Sequence, residues 1–439
     1  MRVLIFDLDF TLADTGECLP YLTSIQGRED VVGAIDDDEV TVEPYYRGLV
    51  KSFNGSFEDD LCAVVVSDSP TDYCIKVLKV CGYKIDSRFV FGNQKKPLVN
   101  FQALTASLAE ELDVDEDDMS FLVIGDSPKD IYFAHHIQAP SIFARWGSRH
   151  EWPSARNSKP TKVVDNFEEL KVQVRRFLSG KLVYVPYDFY EDFDVFSSDD
   201  LNCVELDEDS IGNVREYVPR HENNRGDRDS RSSQDLRWVI KPAKNYKSGH
   251  HRRNQPMQFY GSTGIFPTRP LKSLAGIYKH NFKAWLESKG VRGKVLLVPV
   301  PPSVPHECNL SNPMALIAEW WSDWLSADMR RTEIQVFDVF RRVVPRHPSH
   351  DGTGPRSMDD QFPTLGVIPE AKFEEHVDYV IILDDVITSG SHMNAIASII
   401  NSTDLVNDDA EILGYALFKT VHPEKDAVRK FLLSFGGSK

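Results

Sequence analysis

Short apolar runs alternate with helical patterns in the first part of the chain, and each run ends in polar residues. The runs are VLIFDLD, LCAVVVSDS and SFLVIGDSP. Alternation of strands with helices is typical of an α/β sheet. We therefore predict an α/β domain over residues 1–179. Its functional residues are expected directly after each strand, because ligands bind there in such sheets.

A second α/β pattern starts near residue 260. Helical spacing in LKSLAGIYKHNFKAWLESKG precedes the strand VLLVPVPPS, the helix MALIAEWWSDWL and the strand IQVFDVF, and the strand YVIILDDV follows later. We predict a second α/β domain over residues 260–439. Its aromatic trio, Trp320, Trp321 and Trp324, is expected to pack in a core or an interface.

Residues 180–259 between these patterns lack regular periodicity and are predicted to form a connector, flexible in part. An acidic piece is followed by ENNRGDRDSRSSQ, a polar composition that is typical of flexible segments. The stretch from Arg215 to Arg253 is locally basic, in contrast to the rest of the chain. It could be a solvated linker or a site for a polyanion.

Length, charge and cysteine content narrow the class of protein. A chain of 439 residues suggests two or more domains. Its net charge of −17 argues against coating of nucleic acid by the whole surface, and its six scattered cysteines indicate neither a disulfide framework nor a zinc site. No apolar run approaches the roughly 20 residues of a membrane span. The opening residues do not resemble a secretory signal, so we expect a cytoplasmic protein without membrane partners.

The polar residues after the strands of the first domain suit phosphoryl transfer. This chemistry needs a nucleophile, a proton donor, a divalent cation and positive groups around the phosphoryl oxygens. Neighbouring carboxylates such as Asp7 and Asp9 repel each other unless a cation holds them. The candidates are Asp7, Asp9, Ser67, Lys96, Asp126 and Asp130, and Lys95 competes with Lys96 for the lysine role.

The segments DLDFT, VVVSDS, Lys96-Pro97 and GDSPKD resemble, in this order, the four motifs of the haloacid dehalogenase superfamily. The resemblance implies a Rossmann-like core and a Mg²⁺-dependent phosphatase. Asp7 would be the nucleophile that forms an aspartyl-phosphate, and Asp9 would be the general acid and base. Lys96 would bind the phosphoryl group and balance the charge of Asp7.

The same resemblance implies the remaining roles. Thr11 and Ser67 would shape and line the phosphate site. The Mg²⁺ site would use Asp7 and Asp126 together with the backbone carbonyl of Asp9, and Asp130 would support it. Only about fifty residues separate Thr11 from Ser67, so the cap over the site is expected to be small or missing. Such a site would accept a bulky substrate or borrow a lid from the second domain.

The segment YVIILDDVITSGSH indicates a second site. Its small, hydroxyl-rich turn opens a helix and suits a phosphate, while the preceding carboxylates suit sugar hydroxyls or a cation. With VLLVPVPPS, it resembles the phosphoribosyl pyrophosphate (PRPP) motif of type I phosphoribosyltransferases over about residues 260–425. The resemblance implies ribose binding by Asp384 and Asp385. It assigns the 5′-phosphate to Thr388, Ser389, Gly390 and Ser391.

The pyrophosphate end of this motif departs from the family pattern. The sequence after PVPPS is VPHECNLSNP, which lacks the basic residue often present there, and this weakens the case for catalysis more than for binding. His306 could substitute. Arginines of the following irregular segment could also reach a pyrophosphate, namely Arg341, Arg342, Arg346 and Arg356.

Three functional hypotheses follow. The first is a bifunctional enzyme of nucleotide metabolism, which joins a phosphatase for nucleotides or sugar phosphates to a PRPP-binding transferase domain. In the second, the phosphatase is the sole catalyst and the other domain only senses PRPP or a nucleotide. The third is repair of phosphorylated nucleic-acid ends, which the weak cap and the basic connector favour.

Overall fold

The computed structural model describes residues 1–22, 25–49, 61–218, 231–245, 254–259, 262–267, 270–346 and 357–421. The chain divides into two compact units. The first comprises residues 1–188 with 254–267, and the second comprises residues 189–253 with 268–439. Each unit is an α/β fold around a parallel sheet. Arg356 lies outside the described residues.

The first unit is built on a six-stranded parallel sheet in the order β5-β4-β1-β6-β7-β8. Strands β2 and β3 form a separate antiparallel pair of two residues each. The bounds are β1 (Arg2–Phe6), β2 (Ala13–Asp14), β3 (Glu43–Pro44), β4 (Leu61–Val66), β5 (Val90–Phe91), β6 (Ser120–Gly125), β7 (Ser141–Ala144) and β8 (Lys162–Val164). The chain builds one side of β1 and then crosses to the other, so β1 and β6 flank the point where the strand order reverses.

Helices cover both faces of this sheet. They are α1 (Leu19–Leu22), α2 (Ile25–Asp36), α3 (Thr71–Val80), α4 (Phe101–Leu112), α5 (Pro128–His136), α6 (Trp152–Ala155) and α7 (Phe167–Leu178). One core contains apolar residues of α1, α2, α3 and α7, and the other contains residues of α4 and α5. Tyr21 of α1 and Val31 of α2 are buried in the same core as Leu4 and Phe6 of β1. The described residues between Thr11 and Ser67 therefore pack on the sheet and form no separate cap domain.

The second unit contains a five-stranded parallel sheet in the order β10-β18-β17-β13-β14 and a small antiparallel sheet in the order β15-β16-β9. Strands β11 and β12 form a hairpin that belongs to the first unit and contacts α1. The bounds are β9 (Asp194–Val195), β10 (Ile211–Tyr217), β11 (Asn254–Phe259), β12 (Ser262–Pro267), β13 (Gly293–Pro299), β14 (Thr332–Val336), β15 (Phe340–Arg342), β16 (Leu365–Val367), β17 (Tyr379–Ile387) and β18 (Glu411–Thr420).

The helices of the second unit also cover both faces of its sheet. They are α8 (Arg231–Asp235), a π-helical turn (Leu236–Ile240), α9 (Lys241–Ala243), α10 (Pro270–Ser288), α11 (Pro313–Asp328) and α12 (Ser391–Ser402). Trp321 is fully buried in the core on the side of α10 and α11, and Trp320 and Trp324 pack against that core. The aromatic trio therefore packs as the sequence predicts.

Parts of the predicted connector are folded. Strand β10 pairs with β18 at the edge of the second sheet, and Leu236, Ile240 and Ala243 are buried in its core. Apolar residues in QDLRWVIKPA drive this packing, because their burial removes apolar surface from water. Residues 219–230 and 246–253, which include most of the polar stretch, lie outside the described residues.

Candidate functional site

The carboxyl ends of β1 and β6 bring three carboxylates together. Asp7 follows β1, and its backbone N–H donates to the carbonyl of Ile124 in β6 over 2.9 Å. Asp126 follows β6, and Asp130 lies in the first turn of α5. Oxygen atoms of Asp7, Asp126 and Asp130 all lie within 4.8 Å of one another. The site stands where the strand order reverses, the usual ligand position in an open α/β sheet.

A buried lysine bridges two of these carboxylates. The Nζ of Lys96 lies 2.6 Å from Oδ1 of Asp7 and 2.5 Å from Oδ1 of Asp130. Burial alone would lower the pKa of Lys96, but Asp130, Asp7 and Asp68 outweigh it and hold that pKa well above its ordinary value. The side chain of Lys95 is exposed, and its backbone is left-handed with a φ of 53°. Lys96 is therefore the lysine of this site, and it stays charged.

Asp68 holds the loop that carries Lys96. Its Oδ1 accepts the backbone N–H of Lys96 over 2.6 Å, and its Oδ2 accepts from Nζ of Lys129 over 3.3 Å. Burial would raise the pKa of Asp68, but Lys129 and Lys96 keep it below its ordinary value. This role was not predicted from the sequence, although Asp68 directly follows Ser67 in VVVSDS.

Asp9 is not a member of the three-carboxylate group formed by Asp7, Asp126 and Asp130, and three other side chains donate hydrogen bonds to it. Its carboxylate accepts hydrogen bonds from Oγ1 of Thr15 over 2.8 Å, Oγ of Ser69 over 2.6 Å and the hydroxyl of Tyr73 over 2.8 Å. Burial and the adjacent Asp9 raise the pKa of Tyr73 well above its ordinary value, so this phenol stays a donor. Only the fold brings these three donors together, and sequence spacing gave no signal for them.

Thr11 and Ser67 are both buried at the site. The Oγ1 of Thr11 donates to Oδ1 of Asp126 over 3.1 Å, so its hydroxyl orients a carboxylate. The Oγ of Ser67 accepts the backbone N–H of Ser69 over 3.1 Å, and its own N–H donates to the carbonyl of Phe91. Ser67 retains a hydroxyl hydrogen that can be donated to a phosphoryl oxygen.

The turn between β6 and α5 fixes Asp130. Ser127 caps the helix, and its backbone N–H donates to Oδ2 of Asp130 over 3.0 Å, which completes a capping box. A Cβ on Gly125 would lie only 2.2 Å from Cγ of Asp130. Only glycine lets the strand pass this close to the carboxylate. The hydroxyl of Ser148 donates to the carbonyl of Asp126 over 2.6 Å and ties down the same turn.

The donor set fits a divalent cation. Burial first, and then neighbouring carboxylates, raise the pKa of Asp7 well above its ordinary value even though Lys96 opposes the shift. The same two causes raise the pKa of Asp126 to about 7. A cation among these oxygens would relieve the repulsion, and carboxylate oxygens are the ligands that Mg²⁺ and similar hard cations prefer.

The second predicted site lies at the carboxyl end of β17. Asp384 and Asp385 belong to this strand, and the backbone N–H of Asp385 donates to Oδ1 of Asp384 over 2.8 Å. Burial and the charge of Asp385 raise the pKa of Asp384 well above its ordinary value. Strands β13 and β17 are neighbours whose connections leave in opposite directions along the sheet. This site too therefore lies where the strand order reverses.

The turn after β17 opens α12, as the sequence predicts. Gly390 has a φ of 77°, a conformation that favours glycine, and α12 begins at Ser391. Thr388 and Ser389 are exposed, and the backbone N–H of Ser391 contacts Oγ of Ser389 over 3.4 Å. The turn presents hydroxyls and a helix N-terminus, which attract a phosphate.

His306 does not supply the missing positive charge. Burial of its ring and the charges of Arg341 and Arg342 lower the pKa of His306 to about 3, so it is neutral near pH 7. Its Nε2 contacts the amide of Asn312 over 3.1 Å. A neutral ring adds no positive charge at the pyrophosphate end of the motif, which weighs against the suggestion that His306 substitutes for a basic residue.

The arginines of the irregular segment divide into two environments. Arg341 is part-buried and pairs with Asp338 over 2.8 Å. Arg342 and Arg346 are buried, with 1% and 9% of their surface exposed. These two cations adjoin the end of β13, where the sequence lacked a basic residue.

Comparison with solved structures gives likenesses to the N-terminal part of the chain. A hydrolase from Pseudomonas syringae is 17% identical and covers 40% of this chain and 99% of its own, with a TM-score of 0.31. A predicted phosphatase from Clostridium acetobutylicum is 19% identical over 40% and 98% (TM-score 0.29). A haloacid dehalogenase-like hydrolase from Streptococcus pneumoniae is 14% identical over 39% and 97% (TM-score 0.27). No functional conclusion follows from likenesses at this level.

No protein-family model matches the chain. No curated protein matches it either. Among the described residues, no helix combines the length and the apolar character that a membrane crossing requires.

Proposed function

We propose that the first unit is a phosphatase that cleaves phosphate monoesters through an aspartyl-phosphate on Asp7. The observation that carries this proposal is the buried ammonium of Lys96 between Asp7 and Asp130, beside a three-carboxylate group. This arrangement combines a nucleophile, a fixed positive charge and a cation site at one strand end. The substrate would be a nucleotide, a sugar phosphate or a phosphorylated nucleic-acid end.

Each step has a residue to perform it. A carboxylate oxygen of Asp7 attacks phosphorus, and the bond from phosphorus to the ester oxygen breaks. Asp9 donates a proton to that leaving oxygen and then accepts a proton from the water that attacks the aspartyl-phosphate. Inorganic phosphate leaves and Asp7 is regenerated. Lys96 and the hydroxyl of Ser67 bind the phosphoryl oxygens throughout.

Asp7 and Asp126, with Asp130 in support, would hold a divalent cation such as Mg²⁺. The cation supplies positive charge that offsets the negative charge of the phosphoryl group. Thr11 orients Asp126 through its hydroxyl, and Gly125 allows Asp130 to reach the group. These contacts are expected to keep the carboxylates of Asp126 and Asp130 in place when the substrate binds.

The direct test is phosphate release from a panel of nucleotides, sugar phosphates and 3′-phosphorylated oligonucleotides with Mg²⁺. Asp7→Asn should abolish release, because an amide is a far poorer nucleophile than a carboxylate. Asp14→Asn is the matched control, since Asp14 is exposed and accepts the backbone N–H of Gly16, outside the three-carboxylate group. Undiminished release by Asp7→Asn would contradict the mechanism.

We further propose that the second unit binds a phosphoribosyl compound such as PRPP. Asp384 and Asp385 would bind the ribose hydroxyls, while the turn Thr388–Ser391 would bind the 5′-phosphate. The supporting observation is that carboxylates and turn stand together at the reversal point of the second sheet. A transferase domain and a domain that only senses PRPP would share this site.

Calorimetry with PRPP tests binding, and pyrophosphate release across the common bases tests transfer. We expect Asp384→Asn to weaken PRPP binding, while Asp7→Asn leaves it unchanged because Asp7 belongs to another unit. Binding without pyrophosphate release would favour the sensing role. Absence of PRPP binding to the wild-type chain would remove the proposal for this unit and leave the phosphatase proposal intact.

A further inference from the structure

The loop between β7 and α6, residues 145–151, contacts both turns that carry the proposed cation site. Strand β7 is the neighbour of β6 in the sheet, and the two strands are parallel. Their carboxyl ends therefore lie at the same edge, and the β7–α6 loop begins beside Asp126. None of the four motifs of the first domain includes this loop.

The first set of contacts holds the turn after β1. The Nε1 of Trp146 donates to the carbonyl of Thr11 over 3.0 Å. A Cβ on Gly147 would lie only 1.9 Å from the carbonyl oxygen of Phe10, so the two backbones meet at a distance that only glycine allows. The guanidinium carbon of Arg149 lies 5.7 Å from the centre of the Phe10 ring. The β7–α6 loop thus holds both the backbone and the ring of Phe10.

The conformation of Phe10 controls a carbonyl of the cation site. Its φ of 63° is left-handed, which is unfavourable for a bulky residue unless its surroundings hold it there. The peptide between Asp9 and Phe10 carries the carbonyl that the family resemblance assigns to Mg²⁺. Rotation about the N–Cα bond of Phe10 would turn this peptide. The contacts on Phe10 therefore help to fix the direction of the Asp9 carbonyl.

The second set of contacts holds the turn after β6. The Oγ of Ser148 donates to the carbonyl of Asp126 over 2.6 Å and accepts the backbone N–H of His150 over 3.2 Å. The Nε2 of His150 lies 3.3 Å from Oγ of Ser127, the residue that caps the helix of Asp130. One short loop thus contacts the backbone on both sides of the site.

The spacing of the two turns decides which cation fits between them. Pairing of β1 with β6 fixes the backbone as far as Asp7, and each chain turns away beyond that point. The β7–α6 loop spans the two turns and so limits how far the Asp9 carbonyl can move from the Asp126 carboxylate. Mg²⁺ is small and demands near-ideal geometry, whereas Ca²⁺ accepts longer bonds and flexible sites. A fixed spacing therefore matters more for Mg²⁺ than for Ca²⁺.

We propose that Trp146, Gly147 and Ser148 are positioning residues that hold the cation site at the spacing for Mg²⁺ and thereby select Mg²⁺ over Ca²⁺. They act through the backbone of residues 9–11 and of Asp126, not through bonds to the cation. The inference rests on the proposed phosphatase, whose mechanism supplies the need for a cation at this edge.

The test is calorimetric titration of the full chain with Mg²⁺ and with Ca²⁺ in the absence of substrate. Ser148→Ala should raise the Kd for Mg²⁺ between about tenfold and about a hundredfold, the usual loss when a group that orients metal ligands is removed. The Kd for Ca²⁺ should rise less, so the ratio of the two Kd values should change. Trp146→Phe should act in the same direction, because it keeps an aromatic ring and removes the N–H. Binding that survives in Asp126→Asn belongs to other sites and is subtracted.

Ser158→Ala is the matched control for Ser148→Ala. Ser158 is fully buried in the first unit, and its hydroxyl donates to the carbonyl of Ala155 over 2.6 Å. The control should lower the melting temperature and change neither Kd by more than about twofold. Equal effects of the two serine variants on the Kd for Mg²⁺, or equal losses for Mg²⁺ and Ca²⁺ in Ser148→Ala, would overturn the proposal.

Phosphate release separates this inference from the proposed function. Excess Mg²⁺ should restore the kcat of Ser148→Ala, whereas Asp7→Asn should stay inactive at any Mg²⁺ concentration. If the wild type releases phosphate and Ser148→Ala keeps the wild-type Kd values, the positioning role is wrong and the phosphatase proposal survives. If Mg²⁺ binding depends on Ser148 and the wild type releases no phosphate, the positioning role is supported and the phosphatase proposal fails.

Discussion

At the scale of single residues, the candidate active site depends on which of two adjacent lysines reaches the carboxylates. Sequence alone left Lys95 and Lys96 open, since both precede the proline of the motif. The left-handed backbone at Lys95 and the hydrogen bond that the N–H of Lys96 donates to Asp68 turn the second lysine inward. The choice is made by backbone conformation, which residue identity does not reveal.

Exchanging each lysine for methionine gives a matched pair. Lys96→Met should lower kcat by a factor on the order of 10²–10³, the usual loss for one group that stabilises transition-state charge. Without Mg²⁺ it should also lower the free energy of unfolding by about 3–5 kcal/mol, because buried carboxylates lose their partner. Steady-state kinetics and urea unfolding measure both effects. Equal losses in Lys95→Met would contradict the assignment.

The side chains that donate hydrogen bonds to Asp9 could not be predicted from the sequence. The motifs named Asp7, Asp9, Lys96, Asp126 and Asp130, because each follows a strand at a recognisable position. Thr15 and Tyr73 lie outside the motif segments, and Ser69 ends VVVSDS without an assigned role. The three side chains meet Asp9 only once the loop and α3 have packed. Side chains that hold a catalytic group are therefore harder to predict than the group itself.

At the scale of secondary structure, the passage from β6 to α5 positions Asp130. The helix is capped by Ser127, and the strand ends at Gly125, whose backbone lies close to the carboxylate of Asp130 in the helix. The strand and helix were predictable from apolar periodicity. The close approach was not, because it depends on a distance between a strand backbone and a side chain five residues later.

Two glycine-to-alanine substitutions test this passage. Gly125→Ala should lower the free energy of unfolding by about 1–3 kcal/mol through overpacking, and should reduce phosphate release by displacing Asp130. Gly33→Ala in α2 is the control, since its Cβ would meet nothing within 4 Å. It should raise stability by about 0.5–1 kcal/mol with unchanged activity. Full activity in Gly125→Ala would show that Asp130 tolerates displacement.

At the scale of the whole chain, the two units have separate hydrophobic cores around separate parallel sheets. The sequence predicted both α/β patterns, and the α/β fold class is confirmed. The hairpin of β11 and β12 was not foreseen in the first unit, since β11 ends the predicted connector and β12 lies in the predicted second domain. Apolar periodicity identifies strands, but it does not identify the unit on which a strand packs.

Separate cores predict separate unfolding transitions in calorimetry. Mg²⁺ at about 100 times its Kd should stabilise the first unit by about 2.7 kcal/mol. The unfolding temperature of the second unit should not change. Asp126→Asn should remove the shift and identify the transition that belongs to the first unit. Equal shifts of both transitions, or no shift in the wild type, would contradict a cation site confined to Asp7, Asp126 and Asp130.

The pairing of β10 with β18 has a consequence for synthesis of the chain. Tyr217 pairs with Thr420, about 200 residues later. At roughly 5–20 residues per second on the ribosome, β10 waits about 10–40 s for its partner. Polar side chains of Asn213, Arg215 and Glu216 give it the composition that discourages pairing with another chain. These polar side chains are therefore expected to lower the tendency of the unpaired strand to associate with another chain during synthesis.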